Sequence, residues 1–483
     1  MIRRRLLNLA LIWTVCCAGS VSQNFATLIP PTALRLWAPP SNVSEGGHGF
    51  ETHRPLHKRS TTTVIATGTD YHQEWFLGTG RLYPETVPAA PKAPRGYVPV
   101  YVSHYGRHGS RYLPSAGSYL ELEKVLSRAA GDGMLTELGE DIWKRYSAVL
   151  PLLRNREGEL TPLGAKQQRQ IADRMVSNFP RLFKSGSLVE ANSTNFERTM
   201  LSMLNFEQAL LQREPGLRIH SDASRSEMGR IHQHVIENPR ATPEDVIWKG
   251  KQAPWRPGFD RYCESVLNWK PFCSSLLKNA DYISGIIDPV MFERIYFEVA
   301  QNLLSCPVDD CGMFRAFSPE ELQNLGKLQN YSFYAEKARW PGGNQRGCFL
   351  SESVLGDILE RVPEDMADGV KVRLRFGHDG CMMAMFAMMK LEGWDAVLED
   401  PAEAWKVWDT SRVPMASNFQ MVLFAPRRSA ASPAEEDMLV MLMLNEEPLN
   451  LNLQPVADHF YRWSDFVSYC SAILVEAREA LDS

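Results

Sequence analysis

The sequence predicts an α/β three-layer sandwich around a mainly parallel sheet, with an inserted helical cap subdomain. Three observations carry this expectation. Strand-like runs end in short polar loops and hand over to helical stretches, the order that builds a sheet with crossover helices. Between about 224 and 345 the strand signal gives way to a mainly helical pattern, and the chain closes on an amphipathic helix over 463–481.

Taken in order, the run Tyr97 to His104 is rich in strand formers, and the stretches after it read as helices to about Met175. Leu188 to Asn192 and Leu217 to His220 read as strands on either side of a helix containing Phe206. Pro289 to Leu304 and Pro319 to Leu325 are helices of the insertion. Strands return at Val370 to Phe376, Phe419 to Phe424 and Met438 to Leu444. The apolar run Cys381 to Leu391, with Met382, Met383, Met385, Met388 and Met389, reads as a core helix and not as a recognition face.

Composition narrows the class. At 483 residues, 44% hydrophobic and 23% charged, the chain can bury a large core. A formal net charge of −5 argues against a general nucleic-acid binder. An anionic ligand must therefore be held by a local cluster of arginines. Arg3, Arg4 and Arg5 precede an apolar stretch, Leu6 to Gly19, and small residues come next at Ser20 and Ser22. This is the pattern of a secretory signal over 1–22. The stretch is short for a stable membrane span, so the expected location is secreted or periplasmic. Residues 23–70 hold no helical or strand period and read as a disordered leader before a domain over 71–483. Seven of nine cysteines lie beyond the signal, an odd number. Cys263 with Cys273, and Cys306 with Cys311, are near enough in sequence to pair, with buried free thiols as the alternative.

The chemistry concentrates in three places. After the first strand comes Arg107-His108-Gly109-Ser110-Arg111, one imidazole between two guanidiniums. Arginine forks match phosphate oxygens, and neutral imidazole is a competent nucleophile. After the strand ending near Phe376 comes Gly377-His378-Asp379-Gly380, a His-Asp pair at a strand-to-helix junction. There the carboxyl edge of a sheet and a helix N-terminus both favour an anion. Arg198 comes after another strand and opens a helix in Arg198-Thr199-Met200-Leu201-Ser202.

Together these resemble the histidine acid phosphatase family, the acid phosphatase and phytase branch of the histidine phosphatase superfamily. Its Arg-His-Gly-x-Arg motif is matched by Arg107, His108, Gly109 and Arg111, and its His-Asp motif by His378 and Asp379. Its middle arginine is matched by Arg198, with Thr199 and Ser202. Leu160 to Gln167 looks like the family's turn into a helix. The resemblance spans about residues 80–480, and the approach Pro91 to Gly106 looks most like secreted bacterial members. Two departures stand out. Leu113 holds a place where many members have proline, and His378-Asp379 differs from the His-Ala-Glu often found in multiple inositol-polyphosphate phosphatases.

The resemblance implies hydrolysis of small phosphomonoesters, phytate or broader ones, through a phosphohistidine. His108 is the expected nucleophile and Asp379 the proton donor. Arg107, Arg111, Arg198 and His378 are expected to hold phosphate, with no metal or cofactor. The alternative is a non-catalytic, phosphate-binding or receptor-like protein, expected if His108 or Asp379 were missing. His104 reads as structural more than pocket-lining. His232-x-His234 could bind a metal on a strand, but no third ligand is evident. Asn42, Asn192 and Asn330 head glycosylation sequons.

Overall fold

The computed structural model describes residues 74–482 apart from 233–237 and 239. The signal, the leader, Asn42 and His234 lie outside the described residues.

Runs of strand formers build the sheet. β1 (Tyr97–Arg107), β2 (Leu188–Ser193), β3 (Arg218–Asp222) and β4 (Val370–Gly377) run parallel in the order β3-β2-β4-β1. Beyond β1 the pairing turns antiparallel through β5 (Asn418–Pro426), β6 (Leu439–Leu444) and the two-residue strands β7 (Glu447–Pro448) and β8 (Tyr461–Arg462). The parallel expectation describes the half that β4 and β1 anchor, and the antiparallel strands complete a mixed sheet. The sequence expectation misses β7 and β8 because two residues hold no period.

Both faces of the sheet are covered, as the near-continuous burial of β4, β5 and β6 requires. On one face Val102, Val372, Leu374, Phe376 and Val422 pack with apolar residues of α3 (Pro162–Asn178) and α4 (Glu197–Arg213). On the other, Tyr101, Tyr105, Phe419, Met421 and Val440 belong to a second core. That core takes in the first two helices, α1 (Gly117–Gly131) and α2 (Glu137–Leu153). It also takes in α5 (Arg225–Ile231), α6 (Pro243–Lys249), α7 (Arg256–Val266), α8 (Trp269–Leu276), α9 (Pro289–Leu303) and α10 (Pro319–Lys337), all between β3 and β4. α11 (Glu352–Asp368), α12 (Asp379–Met388) and α13 (Trp463–Asp482) complete it. α10 starts on a Ser318 capping box and runs twelve residues past Leu325, because Leu328, Tyr331, Tyr334 and Ala335 keep an apolar face buried. Met382, Met383 and Met385 of α12 are fully buried.

All seven cysteines among the described residues are buried and unbridged, so the two pairings open from sequence do not form. Cys306 and Cys311 turn their sulfurs to different acceptors, Asn302 Oδ1 and the Asp309 carbonyl, each at 3.4 Å. Asn330 is fully buried and bonded on both sides, to the Gly326 carbonyl and the Thr410 N–H, which leaves no room for a glycan. No described helix is long and apolar enough to cross a membrane.

Candidate active site

β1, β4 and β2 lie side by side and end together: Arg107 is in register with Gly377, and Ser193 with Phe376. The segments leaving the three strands therefore meet at one edge, the usual place for a ligand in a parallel sheet. β1 delivers Arg107 to Arg111, β4 delivers His378 and Asp379, and β2 delivers Thr194 through Arg198. The structure thus gathers all six residues singled out in the sequence.

The first turn of α3 fixes the loop after β1. Thr161 caps that helix by accepting from the Gly164 N–H at 3.1 Å, and it donates to the Ser110 carbonyl at 3.0 Å. Gln167 accepts from the Ser110 N–H and Gln168 donates to the Arg107 carbonyl, each at 2.9 Å. Gly109 has no alternative here, because a Cβ would sit 2.4 Å from the Gly164 carbonyl oxygen. The Leu160–Gln167 turn therefore serves as the seat of the arginine loop.

His108 is buried, and its Nδ1 lies 2.9 Å from the Gly109 carbonyl. A carbonyl only accepts, so Nδ1 carries the proton and Nε2 keeps the lone pair. Burial, then Arg107, Arg111, Arg198 and His378, hold its pKa well below the usual imidazole value. Arg107 pairs with Asp379 at 2.8 Å and donates to the Thr79 and Val413 carbonyls. Burial brings Arg107 and Arg198 down to about 10, still charged at any working pH. Arg111, also lowered by burial, donates to the Tyr112 carbonyl.

Asp379 opens α12 and accepts from the Gly380 N–H at 2.8 Å. Burial pushes its carboxyl up, but Arg107, Arg111 and Lys337 outweigh that and hold it below its ordinary value. His378 contacts Thr194 Oγ1 at 3.3 Å and stands edge-on to Phe196, His232 and His108, with centroids 5.0, 4.7 and 5.6 Å away. Arg198 lies over the Phe196 ring at 4.9 Å. A cavity of about 180 Å³ opens beside Arg107 and Arg111, walled by Thr79, Glu298, Asn302 and Met415. A larger one of about 820 Å³, against Trp340, Trp394 and Tyr469, touches none of the six residues.

The structure adds Thr194, Phe196, His232 and Lys337 to the surroundings of these six. The sequence spacing makes His232 half of a possible metal pair with His234, which lies outside the described residues; the fold sets His232 against His378. Lys337 ends α10, and its ammonium lies 3.2 Å from where a Gly380 Cβ would be. Neither carries a local sequence signal for this place, since each arrives from a segment remote in the chain. His104 packs against Phe206 and Phe376, which also touch each other.

Such a centre, an imidazole set among guanidiniums with an acid at hand on an α/β sheet, defines a phosphatase. A family model, histidine phosphatase superfamily (branch 2), matches residues 102–445, and the chain belongs to that family. Multiple inositol polyphosphate phosphatase 1 of Gallus gallus is 22% identical over 409 residues, 79% of this chain and 85% of that protein. The fold is shared with the multiple inositol polyphosphate phosphatase of Bifidobacterium longum, at TM-score 0.65 and 18% identity. That match covers 81% of this chain and 97% of that one. It is shared also with the phytase of D. castellii, at TM-score 0.63 and 14% identity, covering 88% and 90%. Two of these bear the name of the subgroup from whose His-Ala-Glu pattern His378-Asp379 departs.

Proposed function

We propose that the protein is an exported phosphomonoesterase that works through a phosphohistidine on inositol polyphosphates such as phytate or on broader monoesters. One observation carries the mechanism: the Nδ1 bond of His108 to Gly109 leaves Nε2 unprotonated among three guanidiniums. Nε2 attacks phosphorus in line as the ester P–O bond breaks, and Asp379 gives its proton to the leaving alkoxide. Water then attacks the phosphohistidine. The Asp379 carboxylate takes a proton from that water, the P–N bond breaks, and phosphate leaves. Arg107, Arg111, Arg198 and His378 hold the equatorial oxygens throughout. The N-terminal basic-then-apolar segment supports export. For the substrate, the support is the company the fold keeps: the B. longum enzyme forms a complex with inositol hexasulfate, a polyanionic ring.

Two titrations set the pH dependence. His108 must be neutral, and its depressed pKa keeps it so into the acid range. Asp379 must hold a proton, and a bound phosphate dianion opposes the arginines that depress it. Both conditions meet below neutrality, and a maximum above about pH 8 contradicts the assignment. The test is phosphate release from phytate and from an aryl phosphate at about pH 5, beside His108→Ala. Release that vanishes in the variant supports the phosphohistidine route, and the ratio of substrates separates phytase from general phosphatase. No release from either substrate points to a narrower substrate or to the phosphate-binding alternative.

A further inference from the structure

His232 has no role in the chemistry above, yet the fold takes trouble to place it. It comes directly after α5, a helix of seven residues fastened at the carboxyl edge of the sheet by several independent ties. The Tyr105 hydroxyl, buried under β4, donates to the Ile231 carbonyl at 2.9 Å, one residue before His232. Arg230 pairs with Asp357 of α11 at 2.7 Å, and the same carboxylate takes Arg375 of β4 at 2.6 Å. The Asn195 N–H lies 3.3 Å from Met228 Sδ, joining α5 to the loop after β2. Breaking a buried ion pair such as Arg375–Asp357 leaves a stranded charge, so these ties hold α5 stiffly.

They deliver a buried imidazole, His232, against the half-buried one of His378. The His232 and His378 rings meet at 78° with centroids 4.7 Å apart, and Phe196 closes the angle, 5.7 Å from His232 and 5.0 Å from His378. Edge-to-face packing of this kind fixes the plane of a ring. Thr194 Oγ1 at Nε2 fixes its rotation.

We infer that His232 is a positioning residue: with Phe196 and Thr194 it forms a collar that holds the His378 imidazole edge-on to His108, where it meets a phosphate oxygen. The inference rests on the reading of His378 as a phosphate ligand.

A double-mutant cycle with His378 tests it, read both by calorimetric binding of inorganic phosphate and by turnover of an aryl phosphate. His232→Ala is expected to weaken phosphate binding and lower kcat/KM, each by about tenfold. In a His378→Ala background the same change is expected to cost less than about twofold, since nothing is left to position. His232→Phe, which keeps a ring in the collar, is expected to restore both readouts to within about threefold. Melting is followed for each variant, and His232→Gln takes the place of any that does not fold. A full loss that persists without His378 overturns the inference, as does wild-type binding in His232→Ala. The binding arm keeps the two readings apart. A protein that binds phosphate but cleaves no ester defeats the phosphatase reading, while the cycle on binding still decides the role of His232.

Discussion

His104 and His108 stand four residues apart, one within β1 and one just past its end, and the protein puts them in two regions of opposite character. Both are buried, and burial is the largest cause of a depressed pKa in each. His104 lies against Phe206 and Phe376 with neither ring nitrogen bonded, and Arg375 lowers it further. His108 has Nδ1 committed to Gly109, and three guanidiniums and an acid surround it. A shifted pKa therefore does not mark the reactive histidine. A fixed tautomer beside groups that can hold a ligand's charge does mark it.

The sharpest way to break that comparison is to remove each imidazole in turn. His108→Ala is expected to lower kcat by at least about 10³-fold on every ester, as loss of a nucleophile does. His104→Leu is expected to leave kcat of the folded protein within about threefold. Equal losses at the two positions would dissolve the distinction.

Asp379 sharpens the polar side. Replacing it with Asn keeps the shape and removes the proton. Turnover of an inositol phosphate, whose leaving alkoxide needs that proton, is expected to fall about 10²–10⁴-fold. An aryl phosphate with an acidic phenol is expected to lose far less in its first step. A burst of phenol release measures this directly, and equal losses on both substrates would remove Asp379 from the role of acid.

Gly109 tests how closely the polar region is built. Gly109→Ala drives a methyl into the Gly164 carbonyl, and neither the α3 turn nor the arginine loop can yield without moving His108. A displacement of about 1 Å is worth about 10²-fold in rate. Gly164→Ala, which meets the Ser110 carbonyl from the other side, is expected to do the same.

The same contrast explains how much of the molecule is legible in the sequence. The six polar residues are readable because each lies at or soon after the end of a run of strand formers and because their chemistry is conspicuous. β1 extends three residues beyond His104 only because β4 and β5 continue beside it, which is a tertiary fact. Leu160 to Gln167 resembles a family turn, but its purpose appears only once Gly164 is seen against Gly109. The place of His232 beside His378 is not legible locally, since it comes from α5, which Tyr105 and Arg230 tie down. The cysteines cannot be assigned from sequence, since pairing depends on where sulfurs point and not on sequence distance.

The smallest effect is the one that isolates the apolar region. Burial brings His104 to about 3, while in the unfolded chain it titrates near 6.5. Below the unfolded value the unfolded chain binds a proton that the native state refuses, so stability falls as pH drops from about 6.5 toward 3. The slope for one such group is about 1.4 kcal/mol per pH unit, or about 2 kcal/mol by pH 5. His104→Leu abolishes this contribution. Whatever it costs in packing is independent of pH, so the reading is the difference between denaturant midpoints at about pH 7.5 and about pH 5, taken for variant and parent. The parent is expected to lose more stability over that interval, by about 2 kcal/mol. An equal loss in both would mean that His104 titrates freely, and that the Phe206–Phe376 region admits water after all.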